Sequence, residues 1–253
     1  MDSVPFLFAD SVAHLLPKKW ISYLPDFRSS PWCSVGETHC ERRVDYSLEV
    51  VNPRGIMGCW MENLNEYPRG ESSVAEYLTT PNLYFRIALI EVANGCSPSI
   101  PQPDESELLH KILKHHSASN TICERLYISF NDLCDHRIKE MIFWPFRSIR
   151  IDGSVKTYET FLCWHLENNE MLEKIIVSEC NAAFEVVRFW SKCEKASNLK
   201  LKKKSRTWMD TRTRIVSQLQ SFGLRILESE CKDLLVVAMH PTAGAKLNFN
   251  IYL

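Results

Sequence analysis

The sequence predicts an α/β fold: a short helical segment at the N-terminus, a β-rich middle, and an irregular leucine-rich-repeat-like strand–helix region ending in a β-hairpin. Three observations carry this. Apolar side chains in the first forty residues recur at helical spacings, residues 44–93 hold β-type runs set off by turn signals, and from about residue 125 strand-like runs alternate with helix-like stretches at a nearly constant step. The boundary is placed after residue 43, giving a helical segment 1–43 and an α/β domain 44–253.

Val4 and Pro5 open a segment in which Phe8, Val12, Leu15 and Leu16 form one apolar helical face, with the proline at an accepted early position. Pro17 ends it. A second short apolar patch follows (Trp20, Ile21, Leu24, Phe27), broken by Pro25, and Ser29-Ser30-Pro31 then leads into Trp32 and Val35 as a turn or a helix start. The segment reads as two or three short helices.

Tyr46, Leu48 and Val50 alternate with polar residues, the pattern of a half-buried strand. Asn52-Pro53-Arg54-Gly55 is a turn signal, and residues 56–61 return as its partner. The run 83–92 is rich in β-formers and closes at Asn94-Gly95. Residues 97–103 carry three prolines and read as a loop, after which Asp104 caps a helix through Leu108, Leu109, Ile112 and Leu113.

Beyond residue 125, strand-like runs begin at Leu126, Arg147, Leu172, Asn198 and Leu224, almost evenly spaced along the chain. Helix-like stretches at 137–143, 158–166, 184–193 and 211–222 fill the gaps. A strand-plus-helix unit of roughly 20–29 residues is the footprint of a leucine-rich-repeat-type solenoid, or of another α/β domain with a largely parallel sheet. Two β-type runs around His240-Pro241-Thr242-Ala243-Gly244 look like a terminal hairpin that caps the open sheet edge.

Composition narrows the function. Hydrophobic residues make up 45% and charged residues 24%, an ordinary globular mixture. Thirty Lys and Arg against thirty-one Asp and Glu leave a formal charge of −1, so no global field favours nucleic acid or an acidic membrane. Only eight glycines occur, with no Gly-x-Gly-x-x-Gly and no Gly-Lys-Ser/Thr run, which argues against a nucleotide enzyme. The opening Met-Asp-Ser-Val-Pro has an acid where a signal peptide carries positive charge. The longest apolar runs fall far short of the roughly 20 residues that span a bilayer. The expected location is cytoplasmic or nuclear.

The ten cysteines are scattered, with no pair two residues apart, and read as small buried hydrophobes of a reducing compartment. Cys33, Glu37, His39, Cys40 and Glu41 cluster in sequence, and a Cys–His pair can make an activated thiolate, but His39 lies off the helical face that Cys33 and Cys40 share. His115-His116 and Cys134-Asp135-His136 match no zinc spacing. The basic run Lys200 to Arg206, ending beside Trp208, reads as a solvated strand end and loop, with a nuclear-import signal or a single-strand nucleic-acid patch as the alternatives. Trp144, Trp164 and Trp190 read as core residues. No catalytic residue, metal site or cofactor is expected.

Val4-Pro5, then Phe8, Val12 and Leu15-Leu16, then Leu24, then Trp32 and Val35 resemble the F-box. The opening MDSVPFLFADSV and the later PWCSVGETHCERRVDYSLEV resemble the nematode-type F-box-like proteins that carry an F-box-associated C-terminal domain. The resemblance covers the first fifty residues and, beyond them, only the layout. It implies the substrate-recognition subunit of an SCF-type cullin–RING ubiquitin ligase, which docks on the Skp-type adaptor through Val4, Pro5, Phe8, Val12, Leu15, Leu16 and Trp32 and takes a target protein with the rest of the chain. Pro17, Pro25 and Pro31 depart from the F-box pattern. An adaptor-independent interaction domain of the same ancestry is the alternative, and a cysteine-dependent enzyme the third.

Overall fold

The computed structural model describes residues 4–27, 30–51, 58–65, 71–72, 74–79, 84–93, 106–118, 123–129, 141–152, 158–178, 180–204, 211–230 and 235–252. The chain is mixed α/β with a helical N-terminus, as the sequence predicts. It forms two compact units. Unit 1 comprises residues Met1–Val50, Ile56–Ile90 and Ile100–Glu124; unit 2 comprises Val51–Gly55, Glu91–Ser99 and Arg125–Leu253. The segment 1–43 thus shares its unit with the β-rich middle.

Unit 1 opens with α1 (Phe6–Leu15), α2 (Lys18–Ile21), a 3-10 turn (Leu24–Asp26) and α3 (Ser30–Arg42), followed by β1 (Val44–Val51), β2 (Gly58–Asn63), β3 (Glu71–Ser72), α4 (Val74–Thr79), β4 (Phe85–Ala93) and α5 (Ser106–Ala118). The strands lie in the order β3-β2-β1-β4. Strand β1 is buried on both faces, not on one as its alternation suggests. Tyr46, Leu48 and Val50 join the apolar core, where the Tyr46 ring meets Tyr77 of α4 and Phe85 of β4 edge-on, while Asp45 and Ser47 on the opposite face are buried as well. The turn expected at residues 52–55 lies outside the described residues, as do the loop at 97–103 and Asp104.

Unit 2 contains β5 (Cys123–Ser129, entering from unit 1), β6 (Phe146–Ile151), α6 (Glu159–Asn168), β7 (Lys174–Val177), α7 (Cys180–Trp190), β8 (Leu199–Lys204), α8 (Thr211–Ser221), β9 (Arg225–Glu230), β10 (Leu235–Met239) and β11 (Lys246–Tyr252). The strand order is β5-β6-β7-β8-β11-β10-β9. Strands β6, β7 and β8 are parallel and pair so that Ile149, Ile175 and Leu201, equally spaced in sequence, stand side by side; Phe249 of β11 extends the row. All four are fully buried. The regular step of the sequence is this row, since equal repeats deliver the same core position to each strand. Helices α6 and α7 span the crossovers, and Phe184 of α7 stacks on Phe249. Of the expected helix at 137–143, only residues 141–143 are described.

β10 and β11 form the predicted antiparallel hairpin. It does not cap the edge. β11 lies parallel to β8, β10 pairs on its other side with β9, and β9 ends the order. The hairpin turn is organised by His240. Its Nε2–H donates to the Trp190 carbonyl at 2.9 Å, and its Nδ1 accepts from the backbone N–H groups of Thr242 and Ala243. A Schellman ending closes α8: Gly223 N–H bonds the Gln220 carbonyl and Leu224 N–H that of Leu219, with Gly223 at φ +79°.

Candidate docking surface on the N-terminal helices

Pro5 starts α1 by offering its carbonyl to the N–H groups of Phe8 and Ala9, and Leu16, forced to an extended conformation ahead of Pro17, ends it. The stripe of α1 that faces inward is Ala9 and Ala13, which pack with Leu24 and Val35; Leu16 and Trp32 lean on this cluster, half-buried. Small side chains bring α1 close to α3, and Gly36 does the same where α3 meets the 3-10 turn. A Cβ there would sit 2.6 Å from the Leu24 Cβ.

Because the alanines take the inside of α1, its Phe6, Leu7, Phe8 and Leu15 point outward. Eight large hydrophobic side chains are exposed among the described residues, and seven of them lie between residues 6 and 27: Phe6, Leu7, Phe8, Leu15, Trp20, Tyr23 and Phe27, with Leu7 at 77% and Tyr23 at 57%. Single exposed apolar residues are ordinary; a concentration of them marks an interaction surface. Among the residues that the F-box resemblance implies for docking, Phe8, Leu15 and Pro5 are exposed, Val4 and Val12 are half-buried, and Leu16 and Trp32 contribute to the segment's own core. The Phe8 ring meets Trp32 edge-on at 6.5 Å, joining the outer surface to the inner cluster. Phe6, Leu7, Trp20 and Tyr23 belong to the surface too; the Phe-Leu-Phe run at 6–8 was the available cue.

Two polar assemblies hold α1 in place. In the first, the guanidiniums of Arg43 and Arg86 both bond Asp45 Oδ1 through Nε, at 2.9 and 2.7 Å, and Arg86 also bonds Glu124. Arg43 Nη1 then donates to the Leu16 and Ala13 carbonyls at 2.8 and 3.3 Å, and Arg86 Nη1 to that of Leu16. Cations thus reach the carbonyls at the C-terminal end of α1, adding a second donor at Ala13, whose carbonyl already takes the Leu16 N–H.

In the second, Asp10 and His14 of α1 meet His39 of α3. Asp10 Oδ1 lies 3.0 Å from His39 Nε2, and Asp10 Oδ2 lies 3.6 Å from His14 Nε2, with the Tyr84 ring packed against both imidazoles. Burial pushes both histidines below their ordinary value, which the Asp10 carboxylate partly opposes. One ligand-type atom from each of the three residues lies within 4.8 Å of the others, a donor set that a divalent transition metal accepts. The geometry is that of a helix-to-helix tie, since Asp10 already takes the His39 ring N–H.

Among the described residues, the other candidates do not assemble a reactive centre. Cys33 Sγ faces Glu37 at 3.7 Å, and burial together with that carboxylate raises the thiol, opposite to the shift a nucleophile needs. His39 serves Asp10, and Cys40 is exposed. Of the described cysteines, Cys59, Cys123 and Cys193 are buried as expected, while Cys33 and Cys163 are intermediate. His115 stacks edge-on against Tyr77, and His116 is buried and lowered to about 4. Cys134-Asp135-His136, Arg206 and Trp208 lie outside the described residues. Trp190 is buried, with its indole N–H on the Ser197 carbonyl; Trp164 packs half-buried on Phe143 and His165, and Trp144 is half-buried. Among the described residues, no helix is long and apolar enough to cross a membrane.

No protein-family model, curated protein or solved structure matches the chain.

Proposed function

We propose that this chain is an F-box-like substrate-recognition subunit of an SCF-type cullin–RING ubiquitin ligase, acting in the cytoplasm or nucleus. The N-terminal helices dock on the Skp-type adaptor, and the repeat-like region takes the target protein. The chain needs neither an active site nor a cofactor, because the partner ligase transfers ubiquitin and this subunit supplies proximity.

The observation that carries the reading is that, among the described residues, seven of the eight exposed large hydrophobics lie within residues 6–27, the part of the chain that resembles an F-box. Such interfaces draw their energy from a few aromatic and aliphatic anchors. The half-burial of Leu16 and Trp32 in the segment's own core favours a second reading, an interaction domain of the same ancestry that works without the adaptor.

Capture of the purified chain on immobilised Skp-type adaptor separates the two. Leu7→Ser/Trp20→Ser alters only exposed side chains, so its fold is expected to persist. Adaptor capture by wild type and its loss in this variant supports the receptor. Failure of folded wild type to bind leaves the adaptor-independent domain.

A further inference from the structure

Strands β7, β8 and β11 stand next to one another in unit 2. One face of this strip carries Ile175, Leu201, Leu247 and Phe249 and is buried beneath α7, whose Phe184 stacks on Phe249. Alternation sends the intervening residues to the opposite face: Lys174 and Ile176 on β7, Lys200 and Lys202 on β8, Lys246, Asn248 and Asn250 on β11. These are exposed or half-buried. The three strands contain no Asp or Glu at all, although the whole chain is nearly neutral.

Register makes the charge concentration unavoidable. Lys174 is paired directly with Lys200, and like charges in direct opposition destabilise a sheet. On the strand spacing, Lys174 and Lys200 sit about 4.8 Å apart across their pair and Lys200 and Lys202 about 6.6 Å apart along β8, while Lys246 adds a fourth positive charge on β11. Burial, then the charges of Lys202, Arg125 and Lys200, lowers the Lys174 ammonium from its ordinary value. Among the described residues, none of the four lysines has a carboxylate within ion-pair distance. Asp152, just past the end of β6, is already engaged by the Tyr127 hydroxyl at 2.6 Å and the Arg150 guanidinium at 2.9 Å.

We infer that the open face of β7, β8 and β11 is a binding site for an extended acidic segment of a polypeptide. Carboxylates on alternate residues of an extended chain repeat at the same distance of about 6.6 Å as Lys200 and Lys202, and Asn248 and Asn250 beside them offer amides to the peptide backbone. A polypeptide is favoured over a nucleic acid because the amides of Asn248 and Asn250 match a peptide backbone, and the nearby Tyr127 ring, covered by the Arg150 guanidinium 4.6 Å from its centroid, is not open for a base to stack on. The inference rests on the receptor reading only in taking a protein as the target, and it names that target's chemistry.

The test is fluorescence anisotropy of labelled decaglutamate with the full chain at low salt, beside decathymidylate. Lys200→Gln/Lys202→Gln and, independently, Lys174→Gln/Lys246→Gln are compared with Lys111→Gln/Lys114→Gln on α5. Expected are saturable peptide binding, at least about tenfold weaker in each strip variant, and unchanged binding in the α5 variant. Removing the repulsion leaves the melting temperature of the strip variants at or above wild type. No peptide binding by wild type, equal binding by the strip variants, or tighter binding of the oligonucleotide overturns the inference. Adaptor capture on the same samples keeps the two readings distinct: its loss with peptide binding intact sinks the docking reading alone, and the converse sinks this one.

Discussion

Asp45 is where unit 1 is most sensitive to a single charge. Asp45→Asn keeps the side chain's shape and removes the carboxylate shared by Arg43 and Arg86, whose side chains are 1% and 2% exposed. Glu124 then faces two buried guanidiniums alone, with Arg43 Nη2 as far as 3.9 Å away. Breaking one side of a buried ion pair costs about 3–5 kcal/mol, since a desolvated charge loses its partner. At about 2–4 °C per kcal/mol for a chain of this size, the melting temperature falls by roughly 10 °C. The control is Glu107→Gln, which breaks the pair with Lys111 at 83% and 60% exposure, a solvent-screened contact that contributes little. Urea unfolding followed by circular dichroism measures both, and amide exchange at residues 44–50 and 85–90 localises the loss. On the proposed receptor reading, a second readout comes from α1, whose terminal carbonyls hang on these arginines: adaptor capture weakens together with stability. If Asp45→Asn costs no more than Glu107→Gln, the network is not what fixes α1 and the reasoning fails.

Acid should weaken the fold through two neutral histidines. His116 and His165 both sit at about 4, chiefly by burial, so the stability they contribute is complete above the unfolded value of about 6.5 and is lost as pH falls from there towards 4. The ceiling is on the order of 3 kcal/mol each, and His165→Gln removes its share of the slope when unfolding free energy is measured from pH 7 to pH 4. Gly36→Ala drives a Cβ to within 2.8 Å of Leu24 and Pro25; a loss of about 1–3 kcal/mol, with a weakened near-ultraviolet signal from Trp32, is expected. Gly223→Ala meets only Pro241, at an ordinary 3.9 Å, but has a φ of +79°, so it costs the backbone strain of about 1 kcal/mol, and Gly223→Asn costs less in the same melt.

How legible these features are in the sequence depends on how local their causes are. Strands β6, β7 and β8 are readable because equal repeats set Ile149, Ile175 and Leu201 in one row. The N-terminal helices are readable from their prolines and apolar spacing. The orientation of α1 is not, because the helix carries two apolar stripes. Phe8, Val12 and Leu15 look like the core, yet close approach to α3 selects Ala9 and Ala13. Both polar assemblies escape sequence reading for another reason. Arg86 and Asp45 are far apart in the chain, as are His39 and Asp10, so no local pattern joins them. The position of β11 is likewise set by pairing with β8, two strands and a helix earlier in the chain.

That last pairing orders events during synthesis. β9 and β10 leave the ribosome before β11, yet neither borders β8, because β11 lies between. The chain must hold the edge of β8 open until the last strand of this set arrives. From the end of β8 to the end of β11 this takes several seconds at about 5–20 residues per second. During that interval the β9–β10 pair is a finished piece waiting for its own connector. Unit 2 therefore closes in a single late step, and a ribosome that stalls before Lys246 leaves a nascent chain with an unpaired edge at Leu199–Lys204, the form that chaperones bind and neighbouring chains invade.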